Sequence, residues 1–165
     1  MTQAEKDLLL KDLCARLYTC NCIYGTALTV ALVDEQPLVS NQWLISNYDC
    51  YKDEFIVSNI VYASDVERVV DIDNIRPYLF PLSSMTDGQR IELYKALGLG
   101  YQSHYHLSEE WEHFNNSINN NDLFIPASWV SDINKMYNYL DKNHFDYRGL
   151  IEKGLAIDAT DKNIY

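Results

Sequence analysis

Apolar residues recur at helical spacing near the start of the chain. Leu9, Leu10, Leu13, Cys14 and Leu17 follow one another at mostly three- and four-residue intervals, while Glu5, Lys6, Asp12 and Arg16 fall largely on the other side. Thr2-Gln3-Ala4-Glu5 spells a capping box, in which the Thr hydroxyl and the Glu carboxylate satisfy each other's exposed backbone amides. The pattern predicts an amphipathic helix from Thr2 to near Tyr18. Its apolar stripe is expected to pack on the protein's own sheet, with a partner surface as the alternative use.

The period then shortens. Thr26 to Val33 is rich in β-branched and apolar residues, Asp34-Glu35-Gln36-Pro37 suits a turn, and Leu38 to Ile45 resumes the apolar pattern, which together predict a β-hairpin. Tyr48 to Glu54 reads as a polar connection and Phe55 to Tyr62 as a third strand. Ser64-Asp65-Val66-Glu67 spells a second capping box, but the β-branched Val66, Val69, Val70 and Ile72 favour a short strand. Asp73 is expected to cap a single turn. Pro77 and Pro81 push Arg76 and Phe80 out of helical geometry, so the segment between them is expected to be an extended, structural connection that drops Tyr78, Leu79, Phe80 and Leu82 against the core.

Thr86-Asp87-Gly88-Gln89 is another capping box, followed by Ile91, Leu93, Tyr94 and Leu97 and stopped by Gly98. Gly100 to Leu107 alternates as a strand would, and Asn115 to Asp122 is a loop by composition. Ser128 caps a helix bearing Trp129, Ile133, Met136, Tyr137 and Leu140 on one face, ended by Asn143. Asp146 is then expected to cap a short helix through Tyr147, Leu150 and Ile151. Gly154 fits its left-handed C′ position, with Leu155 folding back on Leu150 as a Schellman closure requires, and Arg148 is left as a polar outlier.

Two blocks within this pattern carry a resemblance: Pro77-Tyr78-Leu79-Phe80-Pro81-Leu82-Ser83-Ser84-Met85-Thr86 and His144-Phe145-Asp146-Tyr147-Arg148-Gly149-Leu150-Ile151-Glu152-Lys153-Gly154-Leu155-Ala156. Through them the chain resembles a widespread group of small uncharacterised proteins encoded by gut bacteria and their phages. The resemblance implies an accessory gene of bacteria or mobile elements and names no reaction.

Composition narrows the class. At 165 residues one globular domain is the simplest expectation, and a chain of this size buries roughly 70% of its extended surface. The 24 acidic against 13 basic residues give a net charge of −11, which repels phosphate, so direct DNA or RNA binding is not expected. Acidity suits a basic partner or imitates a phosphate backbone; its plainer use is a well-solvated surface. Neither a secretion leader nor a membrane-length apolar run is visible, so a cytoplasmic protein with reduced Cys14, Cys20, Cys22 and Cys50 is expected.

Candidate chemistry is sparse. His104 and His106 share one face of the expected strand, and His113, Glu109, Glu110 and Glu112 follow, a set able to ligate a metal. H-x-H also arises by chance on edge strands that need no function. The six glycines build no phosphate cradle and no nucleophile elbow, and nothing places a cysteine beside His144. Asp146, Tyr147 and Arg148 combine groups able to hold an anion, but capping by Asp146, packing of Tyr147 and neutralisation of an acidic neighbour by Arg148 are the expected uses. Thirteen tyrosines and three tryptophans suit interface anchors as well as a β-rich core.

The expected architecture is α+β: an N-terminal helix, a mainly antiparallel sheet and a C-terminal helical bracket. The expected function is a non-enzymatic cytoplasmic interaction protein of bacteria or mobile elements. It would have a protein partner and modulate a host or phage complex, without cofactor, metal, nucleic acid or membrane, with catalytic residues unassigned and homo-oligomerisation left open. The alternative is a small metal-dependent hydrolase using His104 and His106.

Overall fold

Of the three capping boxes, those at Thr2 and Thr86 form, and Ser64 lies outside the described residues. Thr2 N donates to Glu5 Oε2 at 2.7 Å and Glu5 N returns a bond to Thr2 Oγ1 at 3.3 Å; Thr86 and Gln89 repeat the exchange at 2.9 and 3.3 Å. They start α1 (Gln3–Leu17) and α2 (Asp87–Ala96). The structure is a computed structural model that describes residues 1–20, 27–33, 42–49, 52, 54–59, 67–97, 109–125, 133–162 and 164. The architecture is α+β, with an N-terminal helix, a mostly antiparallel sheet and helices towards the C-terminus. The chain divides into two compact units, Met1–Leu79 with Leu150–Tyr165, and Phe80–Gly149.

In the first unit, β1 (Leu28–Leu32), β2 (Trp43–Asp49), β3 (Glu54–Asn59), β4 (Glu67–Asp71) and the part of β5 (Ile75–Pro81) up to Leu79 lie in the order β4-β3-β2-β1-β5, every neighbouring pair antiparallel. The expected hairpin is β1 with β2, Thr29 opposite Leu44. β2 runs on to Asp49, through residues expected to be a connection, because Tyr48 stacks on Phe55 of β3 with ring centroids 4.6 Å apart. The β-branched run at 67–71 is a strand, as its composition favours. Leu9, Leu13 and Leu17 of α1 share one apolar core with Leu28, Val30, Leu32, Trp43, Ile45, Phe55 and Val57.

Three expectations need correction here. Asp12 and Arg16 do not lie on the outer side of α1: both are wholly buried beside Leu9 and Leu13. Asp73 does not cap the 3-10 turn Ile72–Asn74; its carboxylate pairs with Lys6, and with the N-terminal amine at 3.7 Å. The segment between the prolines is not a connection but β5 itself. Proline fixes the extended geometry correctly, and Pro77 falls at the end of the ladder with β1, where the missing N–H is least costly.

The far end of the chain closes on β5 through β7 (Ile157–Asp158), which pairs parallel to Tyr78 and Leu79. The approach is the expected Schellman pattern: Leu155 N donates to Leu150 O at 2.9 Å and Gly154 N to Ile151 O at 3.0 Å, with Gly154 at φ +68°. Leu150 and Leu155 are both buried in the first core. No helix precedes this closure; residues 147–154 form successive turns, and Asp146 belongs to a strand instead of capping one.

The second unit contains α2, α3 (Glu109–Asn119), α4 (Ile133–Lys142) and β6 (Phe145–Asp146), which pairs parallel to Phe80 and Pro81. Its core holds Leu82, Met85, Leu93, Tyr94, Leu97, Phe114, Ile118, Met136, Leu140 and Phe145. Of the polar run expected to be a loop, residues 115–119 are helix and residues 120 and 121 form a turn: Phe114 and Ile118 bury one face of α3, and that burial outweighs the modest propensity of asparagine. Asn121, at φ 56°, ends it, with Asp122 N donating to Ser117 O at 2.9 Å. α4 buries Met136 and Leu140 but leaves Ile133 and Tyr137 exposed, and its left-handed stop is His144 at φ 58° instead of Asn143. The Gly100–Leu107 strand, Gly98 and the Ser128 cap lie outside the described residues.

Candidate functional site

The chain reversal after α4 gathers the polar residues of the second unit. His144 N donates to Asp141 O at 3.1 Å, and its own carbonyl accepts from Phe80 N at 2.9 Å, which pins the reversal to β5. Beyond β6 the chain turns back, and Tyr147 donates its hydroxyl to Asp141 Oδ1 at 2.9 Å. Arg148 Nη1 lies 3.9 Å from the same oxygen, while its guanidinium carbon stands 4.4 Å from the Tyr147 ring centroid. Tyr137 on α4 extends the row, its ring 5.3 Å from that of Tyr147.

Of the sequence-derived set, Tyr147 and Arg148 thus come together, and the group that unites them is Asp141. Asp141, His144 and Asp146 are buried. Nothing in the local spelling singles out Asp141, which reads as an ordinary polar helix residue until the reversal at His144 is known. With a phenol and a guanidinium turned onto one carboxylate, the corner's polar capacity holds the fold together. On α4 itself two large apolar side chains are exposed one helical turn apart, Tyr137 at 38% and Ile133 at 44%, beside exposed Asn134 and Lys135.

A second feature lies between α2 and α3: a groove of about 540 Å³ lined by Asp87, Arg90, Ile91, Trp111, Asn115 and Asn119. Arg90 spans it, donating to Met85 O at 3.1 Å, Asn115 Oδ1 at 3.3 Å and Asn119 Oδ1 at 2.7 Å. Trp111 forms one wall, edge-on to Tyr94 at 5.1 Å. In the same unit, half-buried Tyr139 donates to Gln89 O at 2.9 Å; burial, aided by Glu92, pushes its hydroxyl up to about 12.

His104, His106, Cys22 and Cys50 lie outside the described residues. Glu109, Glu112 and His113 are exposed on α3, and no group of three or more His, Cys, Asp or Glu among the described residues is placed to hold a metal ion. Cys14 and Cys20 belong to the first unit and His144 to the second. No helix among the described residues is long and apolar enough to cross a membrane.

Residues 71–164, more than half of the chain, match the model of the family described as base plate wedge protein 53 of phages. The chain belongs to this family. No curated protein and no solved structure matches it. Membership sharpens the resemblance to proteins of gut bacteria and their phages into a phage structural or accessory protein. The match takes in all of the second unit, including the Asp141–Arg148 corner, and both distinctive blocks; α1 and β1 to β3 lie before it.

Proposed function

We propose that the protein is a non-enzymatic subunit of a phage base plate wedge, working through protein–protein assembly. The single observation that carries the reading is the family match spanning the whole second unit. The surface that suits the task is the exposed flank of α4. Ile133 and Tyr137 offer apolar area with a polar tip, and Tyr137 rests against the tilted ring of Tyr147, which carries the Arg148 cation over its face. Aromatic residues held rigidly in this way lose little entropy when a partner covers them, which is the character of interface anchors. The occupant of this flank is another base plate wedge subunit.

The test is co-expression with the remaining base plate proteins of a phage that encodes this chain, followed by sedimentation of the purified complex. The chain is expected to travel in a stoichiometric assembly. Ile133→Ser with Tyr137→Ala should weaken that association at least tenfold, about 1.4 kcal/mol, while far-UV circular dichroism and melting stay as in the wild type. A chain that joins no base plate protein, alone or in combination, rules the reading out.

A further inference from the structure

β4 ends the strand order of the first unit, and among the described residues only β3 pairs with it. The register separates its side chains by face. Arg68 stands opposite Val57 and Val70 opposite Phe55, two wholly buried residues, so both belong to the core side; the Arg68 guanidinium lies 4.9 Å from the Trp43 ring centroid. Alternation then places Glu67, Val69 and Asp71 on the opposite side, with Val69 61% exposed. A terminal strand of this kind presents backbone N–H and C=O groups in the geometry a further strand needs.

Charge decides what that strand is. The outer face of β4 carries an aliphatic residue between two carboxylates, and Glu54 of β3 stands directly opposite Asp71, adding a third acid. An antiparallel pairing of β4 with a second copy centred on Val69 would set Glu67 against Asp71 at both ends, and like charges directly opposite destabilise a pair. A strand with basic residues at those two places gains where the copy loses, and the net charge of −11 draws a basic segment in from solution.

We propose that β4 is a docking edge that accepts an extended basic segment of a partner protein as an added strand, with Lys or Arg beside Glu67 and Asp71 and an aliphatic residue beside Val69. The proposal deepens the assembly reading and rests on it only for the partner being a protein. Main-chain hydrogen bonds supply affinity in this mode and the alternating side chains supply selectivity.

The test uses the full chain and a blocked heptapeptide, Thr-Lys-Thr-Val-Thr-Lys-Thr, with its Glu-for-Lys counterpart and an N-methylated form of the Lys peptide. Fluorescence anisotropy is expected to show the Lys peptide binding at least tenfold tighter than the Glu peptide, with slowed amide exchange in β4 and loss of binding on N-methylation. Glu67→Gln with Asp71→Asn should erase the preference, and Glu67→Lys with Asp71→Lys should reverse it. Equal binding of both peptides, binding that survives N-methylation, or none at millimolar peptide overturns the proposal, as does a wild-type dimer that Val69→Lys dissolves. Failure here with wedge assembly intact would leave the assembly reading standing, and the reverse result would remove that reading alone.

Discussion

Arg16 Nε lies 2.7 Å from Asp12 Oδ2, one helical turn away on α1, and both side chains are wholly buried. Removing two charges from water costs several kcal/mol per ion, and the contact between the two groups offsets part of that cost. Arg16→Met alone is therefore expected to lower stability by about 3–5 kcal/mol, since it takes the guanidinium away from a buried carboxylate. Asp12→Leu with Arg16→Met should recover most of that loss. Urea denaturation of the single and double variants checks this, and equal losses in both would show that the pair is not coupled.

That pair also marks where reading along the chain stops working. Features written within four or five residues were legible: the capping boxes at Thr2 and Thr86, the extended backbone enforced before Pro77 and Pro81, and the Gly154 closure. Features that depend on a distant partner were not. Asp12 and Arg16 look like a solvated helix face because periodicity sorts residues by polarity, and polarity does not reveal that two ions will neutralise each other inside. Asn115 to Asn119 looks like a loop until Phe114 and Ile118 find a core. Asp141 gains its role only through the reversal at His144. The family bond was partly visible, since both distinctive blocks lie inside the matched residues 71–164.

Two glycines should respond oppositely to alanine. Gly154 sits at φ +68° with nothing within 4 Å of an added Cβ, so the whole cost of Gly154→Ala is the left-handed backbone, about 1–2 kcal/mol. Gly88 lies in the first turn of α2, where an added Cβ meets Thr86 Oγ1 at 4.0 Å, an ordinary contact. Gly88→Ala should raise stability by roughly 0.4–1 kcal/mol by narrowing the unfolded ensemble. Thermal melts of the two variants compare the signs directly; a stabilising Gly154→Ala would contradict the closure.

The Tyr147 hydroxyl and the Asp141 carboxylate are 2.9 Å apart. Tyr147→Phe keeps the ring beside Arg148 and Tyr137 but withdraws a hydrogen bond to a carboxylate, an expected loss of about 1.5–3 kcal/mol. In a background of Asp141→Asn the same substitution should cost less by at least about 0.5 kcal/mol, because the two groups act as one unit. Additive losses in the double-mutant cycle would separate the two residues.

Tyr139 ties stability to alkaline pH. Burial and the nearby Glu92 carboxylate push its hydroxyl in the folded protein up to about 12, against an ordinary value of 10.0. The folded state therefore holds this proton more tightly than the unfolded chain. Its contribution is fully present below pH 10 and is lost as pH rises towards 12, where unfolded molecules release the proton first. Stability measured by urea denaturation should fall across that window, and Tyr139→Phe should flatten the fall while costing stability at neutral pH through the lost bond to Gln89 O. An unchanged alkaline slope in Tyr139→Phe would show that another group drives the transition.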